Sequence, residues 1–201
     1  MSPKQIIARC VEEFEAKTQV ELVVLVKRSS ASYFDFFWFY TLFLVQTFWV
    51  VTVMLDDSFV FLSLVIESFL IIGLSYLFLM RLELLKYLVP AKFKNRKLRE
   101  LAAREFFDLG IFNTRRRSGL LIVYSHFENM CVLFCDKGVK EKISEKEIAD
   151  YTEQFRSAFN GKNLSESVGS MIRTFGVYWR NQWPNEDDEN EIVHAVSGEL
   201  E

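Results

Sequence analysis

YFDFFWFYTLFLVQTFWVVTVML (Tyr33–Leu55) is followed, after only Asp56-Asp57-Ser58, by FVFLSLVIESFLIIGLSYLFLM (Phe59–Met80), and this pair of runs decides how the chain is built. Each run is just over twenty residues long. A helix rises about 1.5 Å per residue, so each can cross the roughly 30 Å hydrocarbon core of a bilayer. In lipid every backbone N–H and C=O needs an internal partner, which makes two antiparallel helices the expected state. The spacing therefore predicts a transmembrane hairpin with polar sequence on both sides of it.

Outward from the hairpin, the averages of 201 residues conceal a division. The chain is 50% hydrophobic and 25% charged with net charge −3, yet charges are sparse between residues 33 and 80 and dense elsewhere. About fifty residues enter the bilayer and roughly 150 remain, enough for one small domain. Weak net acidity argues against a general nucleic-acid binder. Met1–Lys17 is polar and helical, unlike a cleavable signal peptide, and the first apolar run is too long for a signal core. Cys10, Cys131 and Cys135 form no spacing framework, and on a strand Cys131 and Cys135 would lie about 13 Å apart, too far to bridge. They read as buried, reduced thiols.

Basic residues set the orientation. Lys27 and Arg28 precede the first span; Arg81, Lys86, Lys92, Lys94, Arg96 and Lys97, in a basic linker over 81–97, and then Arg99 follow the second; the loop between the spans has acids only. Bases near span ends are retained in the cytoplasm, so both termini are expected there, on the inner side of a plasma (inner) membrane, with Asp56–Ser58 outside. The ring cluster from Tyr33 to Tyr40 sits where an interfacial aromatic belt is expected. Gln46 and Glu67 fall at similar depth, roughly 12–14 Å below the outer surface. An isolated carboxylate there is costly, so the pair reads as hairpin glue, Gln46 donating to Glu67, with a proton or ion relay as the sharper alternative.

The soluble parts complement each other. Ser2-Pro3-Lys4-Gln5 is a capping box with Pro at the first helical position, and Ile6, Ile7, Cys10 and Phe14 follow at helical spacing. Val20–Val26 (VELVVLV) reads as a buried strand, but a helix and one strand make no core. Beyond the hairpin come a helix over Leu98–Leu109 ended by Gly110, strands at Gly119–Ser125 (GLLIVYS) and Met130–Cys135 (MCVLFC) joined by a turn at His126–Asn129, and a capping box Ser144…Glu147 opening a helix. Asn163, with Glu166 at the third position, is expected to cap a last helix carrying Val168, Met171, Ile172, Phe175 and Trp179, stopped near Pro184. The predicted fold is α/β: a small mixed sheet flanked by helices, strands one and two parallel, strands two and three antiparallel, split by the hairpin. Residues 1–28 and 98–184 form its two halves, and 185–201 an acidic tail.

Glu21–Val26, Gly119–Ser125, Cys135-Asp136-Lys137-Gly138-Val139 and Phe155–Gly161 (FRSAFNG) follow one another in the order and spacing of the TPM-domain family. The chain resembles its bacterial membrane proteins in which a two-span hairpin splits that domain. The resemblance implies an α/β sandwich. For some members it also implies acid phosphatase activity or divalent-cation binding, calcium for example. The family's acidic position before the first glycine is here Arg117-Ser118; Gly119, Gly138 and Gly161 are what match.

Few residues carry candidate chemistry. Asp136, just after the third strand, is the one candidate catalytic carboxylate, since α/β sites gather at strand ends; capping is the simpler role. Arg115-Arg116-Arg117 suits an anion or lipid headgroup, or else is a solvated loop near an anionic membrane surface. Glu186, Asp187, Asp188, Glu189 and Glu191 fit no EF-hand loop and read as a solvated tail. His126 and His194 have no ligand-spaced neighbour, so no metal site is assigned. Together these features suggest a non-catalytic accessory module acting on a membrane-protein partner, with a phosphatase-like or cation-dependent enzyme as the alternative.

Overall fold

A computed structural model describes residues 2–55, 61–81, 84–114, 116–161, 163–184 and 196–198. The chain forms two compact units, one of Met1–Ser30 with Asn95–Glu201 and one of Ala31–Lys94. The second is thus an insertion within the first, as the sequence leads one to expect.

In the first unit a mixed four-stranded sheet has the order β3-β2-β1-β4, with β1 at Glu21–Lys27, β2 at Gly119–Ser125, β3 at Met130–Cys135 and β4 at Val196–Gly198. β1 and β2 run parallel, Glu21 opposite Gly119 and Lys27 opposite Ser125, while β3 returns antiparallel. The β2–β3 turn closes on Asn129, whose φ of 51° suits asparagine better than most side chains.

Alternation along the strands feeds two apolar layers. Leu22, Val24 and Val26 with Leu120, Ile122 and Tyr124 face one side; Val23 and Leu25 with Leu121 and Val123 face the other. The first side is thick, covered by α1 (Pro3–Glu15), α7 (Glu145–Phe159) and α8 (Leu164–Gln182), which bring Ile7, Phe14, Phe155, Phe159, Phe175 and Trp179. The second is thin, covered by Leu98, Ala102 and Phe106 of α5 (Ala91–Asp108) and by Ile111. A sheet covered on both faces needs continuous apolar strands, which explains why β1 and β2 are apolar at nearly every position. The three cysteines are free and buried, and burial pushes the thiols up, Cys135 to about 12.

Local signals account for most helix ends. Ser2 and Gln5 close their capping box, as do Ser144 and Glu147. Glu147 accepts from the Ser144 hydroxyl and amide at 2.7 and 2.9 Å and from the Tyr178 hydroxyl at 2.7 Å, which hold its carboxyl down at about 2. A folded-state value below the ordinary 4.5 adds stability that is present above pH 4.5 and is lost as pH falls toward about 2. Glu147→Gln is therefore expected to make the acid limb of a Tm-against-pH curve shallower in that window. An unchanged limb would deny the carboxylate this role.

Three expectations are corrected. The basic stretch read as a linker over 81–97 is largely helical: α4 (Leu85–Leu88) precedes α5, which starts at Ala91 rather than Leu98 because Pro90 opens it and Lys, Arg and Glu propagate a helix well. Asn163 makes no side-chain cap; its amide donates to Glu166 Oε2 at 3.1 Å instead. Residues 185–201 are not simply a tail, since Val196–Gly198 pairs with β1 and Val196 packs on the core, covering an edge that would otherwise expose unpaired backbone groups. The insertion agrees with the sequence in part. There α2 (Phe34–Leu55, 22 residues) is long and apolar enough to cross a membrane. α3 (Phe61–Ser75) is shorter and passes into a π-helical turn at Tyr76–Arg81, so among the described residues one helix, not two, meets that length as a regular α-helix. Asp56–Ser58 lies outside the described residues.

Candidate functional site

The parallel register of β1 and β2 gives the sheet two distinct ends, and polar side chains collect at both. At the end where β1 and β2 finish, the chain runs on in register: His126 N–H donates to Lys27 O at 3.1 Å and Phe127 N–H to Arg28 O at 2.8 Å. This tie brings Glu128 over the residues that leave β1. Its Oε1 accepts from Ser30 N–H at 2.9 Å and from the Ser30 hydroxyl at 2.6 Å, and its Oε2 accepts from the Ser125 hydroxyl. Glu128 and Ser125 are buried. Beside them the Tyr124 hydroxyl donates to Asn160 Oδ1 at 3.1 Å, and Asn160 Nδ2 donates to Asn129 Oδ1 at 2.6 Å. The Tyr124 ring stacks on Phe159 at 4.5 Å and meets His126 edge-on at 5.0 Å; burial raises its phenol above the ordinary value. Nearby, Lys27 pairs with Glu105 of α5 at 3.2 Å.

Sequence reasoning missed this cluster. A parallel pair places whatever follows β1 beside whatever follows β2, so Ser29-Ser30 and an acid in the 126–129 turn were the available signal. Glu128 accepts three hydrogen bonds, from the Ser30 amide, the Ser30 hydroxyl and the Ser125 hydroxyl, out of the roughly four lone-pair sites of a carboxylate.

Asp136 lies at the opposite end. Because β3 is antiparallel, the residue after it stands beside the start of β2: Asp136 N–H donates to Gly119 O at 2.9 Å. It is therefore not at the carboxyl ends of the parallel strands, where α/β sites gather. Asp136 caps α6 (Lys137–Lys140), Oδ1 accepting from Lys137 N–H at 2.7 Å, while its buried Oδ2 has no hydrogen-bond partner among the described residues. The arginine loop packs directly on this turn. Gly138 N–H donates to Arg117 O at 3.1 Å, and a Cβ on Gly138 would stand 2.5 Å from Arg116 O, so only glycine fits. Arg117 itself takes φ 53°. The backbones of Asp136 and Arg116–Arg117 are thus brought together, but no ion pair joins their side chains among the described residues, and both arginines are exposed. Arg115, His194 and the acids 186–191 lie outside the described residues.

Within the insertion, Gln46 and Glu67 do not bond each other. The cross-link between the helices comes from Trp49, whose Nε1–H donates to Ser68 Oγ at 2.9 Å; Phe37 meets Tyr76 edge-on at 6.2 Å. Gln46 is exposed on another side of α2, and Glu67 is half-buried with Oε2 unpartnered. Among the described residues no group of three or more His, Cys, Asp or Glu side chains gathers that would hold a metal ion.

No protein-family model matches the chain, and no curated protein matches it either. Its fold is similar to the NMR structure of BA42 protein from the psychrophilic bacterium Bizionia argentinensis, with TM-score 0.59 at 15% identity, covering 98% of this chain and 92% of that one. At this identity the likeness concerns the fold alone.

Proposed function

We propose that the chain is an integral membrane protein whose two-span hairpin carries a cytoplasmic, TPM-like α/β domain serving as a non-catalytic accessory module for a membrane-protein partner. The observation that carries this reading is the surface of α2: Phe39, Phe43, Val51 and Met54 are exposed along a helix with no charge after Asp35, which suits hydrocarbon and not water. Unbroken helix from α3 through Arg81 supports a second crossing, and the bases at both hairpin ends support cytoplasmic termini. The hydrogen bonds from Ser30 and Ser125 to Glu128, which tie the exit of β1 to the 126–129 turn, support a structural use of that sheet end.

The test uses the full chain in its native membrane. It is expected to stay in the pellet through alkaline carbonate extraction, and a reporter fused after Glu201 is expected to work only inside the cell. Purified in detergent, it is expected to turn over no p-nitrophenyl phosphate, with or without calcium, above a protein-free control. A chain released by carbonate sinks the membrane reading. A second reading, hydrolysis at Asp136, has its own observation in the unpartnered Oδ2 beside the arginine loop. Turnover abolished by Asp136→Asn would replace the accessory role with that one.

A further inference from the structure

We propose that α2 is a self-association surface, on which the Gln46 carboxamide pairs with that of a second copy of this chain inside the bilayer. The inference rests on the reading that α2 crosses a membrane, since in water Gln46 would simply be hydrated.

Two sides of α2 differ. One side meets α3: Phe37 and Thr41 are buried and Trp49 bonds Ser68. The other carries Phe39 (64% exposed), Phe43 (63%), Gln46, Val50 (45%) and Val53 (49%). These follow one another at alternating steps of four and three, the spacing of a left-handed helix–helix seam. An apolar seam alone gives no drive in lipid, because acyl chains are as apolar as Phe or Val. Gln46 supplies the drive. It sits at mid-helix, too far from either end to reach an interface, and makes no hydrogen bond among the described residues.

The chemistry of the group selects the occupant. A carboxamide carries donors and an acceptor side by side, so two of them related by a two-fold axis can each donate to and accept from the other. A carboxylate or an ammonium would answer only half of it. Two copies with one membrane orientation are related by a two-fold axis along the bilayer normal, which sets each seam residue, Gln46 included, against its own counterpart. One polar residue in such a seam fixes register and copy number, as buried asparagine does in soluble coiled coils.

The full chain, labelled with donor or acceptor dye through an appended tag and reconstituted in phosphatidylcholine vesicles, is expected to show energy transfer that falls as lipid is added. Gln46→Leu is expected to weaken association roughly three- to thirty-fold. Gln46→Asn is expected to retain it, and Leu44→Ala, off the seam, to leave it unchanged. Both controls fold in the same apolar surroundings, so a loss confined to Gln46→Leu is not a folding defect. Carbonate-resistant protein that is monomeric at every lipid ratio, or Gln46→Leu associating like the parent, overturns self-association and leaves the membrane reading standing. Release by carbonate overturns both.

Discussion

Trp179→Ala is expected to lower the unfolding free energy of the α/β domain by about 3–5 kcal/mol. The indole is fully buried where α8 meets α1 and α7. It stacks on Trp183 at 4.8 Å and meets Phe175 edge-on at 5.2 Å, and Phe175 in turn touches Phe14, Tyr151 and Phe155. Truncation removes the middle of this ring stack, and the three helices cannot close the gap without moving together. The loss also spreads to β1, because Gln19 N–H donates to Trp183 O at 3.2 Å and Thr18 bridges Pro184, tying the end of α8 to the strand's entrance. The Nε1–H of Trp179 has no hydrogen-bond partner among the described residues, and an orphaned buried donor costs about 1–3 kcal/mol. Trp179→Phe, which sheds that donor while keeping a ring, is accordingly expected to lose much less than the alanine variant. Urea unfolding of the detergent-solubilised chain, followed by far-UV circular dichroism, measures both. Equal losses for the two variants would contradict the packing argument.

Glu128→Ala is expected to cost about 2–4 kcal/mol, since bonds to a charged acceptor are each worth about 1.5–3 kcal/mol and do not add fully. The carboxylate gathers the Ser30 amide, the Ser30 hydroxyl and the Ser125 hydroxyl, and its removal leaves those donors behind in a buried site. Glu128→Gln keeps one acceptor oxygen and is expected to fall between the parent and the alanine variant. The effect is local as well as global. Ser30 is where the chain departs from the α/β domain, so its amide is expected to lose hydrogen-exchange protection first. Protection at Ser30 that survives Glu128→Ala would show that the backbone tie through Lys27 and Arg28 suffices.

Legibility followed the range of the interaction. β2 and β3 were readable to the residue, because continuous or alternating apolar runs state their own burial and the 126–129 turn marks their junction. The capping boxes at Ser2 and Ser144 were equally plain, being closed within three residues. Asn163 shows the limit of that signal: an amide offers a donor as well as an acceptor, and here the donor found Glu166. The early start of α5 was hidden because a helix in a charged stretch has no apolar period before Leu98 to reveal it. β4 was hidden because three residues carry no pattern; it exists by virtue of the edge of β1.

By itself the sequence determined most of the parts: the segments that form β1, β2 and β3, the capped starts of α1 and α7, and an apolar insertion that interrupts one α/β domain. These depend on local composition and periodicity. Tertiary structure alone decided which polar groups meet. It took Asp136 away from the carboxyl ends of the parallel strands, because β3 turned antiparallel. It drew Glu128 onto Ser30 across 98 residues of chain, because β1 and β2 end in register. It also separated Gln46 from Glu67, although the sequence places both at similar distances from the 56–58 loop, because the rotation of a helix about its own axis is set by packing, here Trp49 on Ser68, and not by distance along the chain.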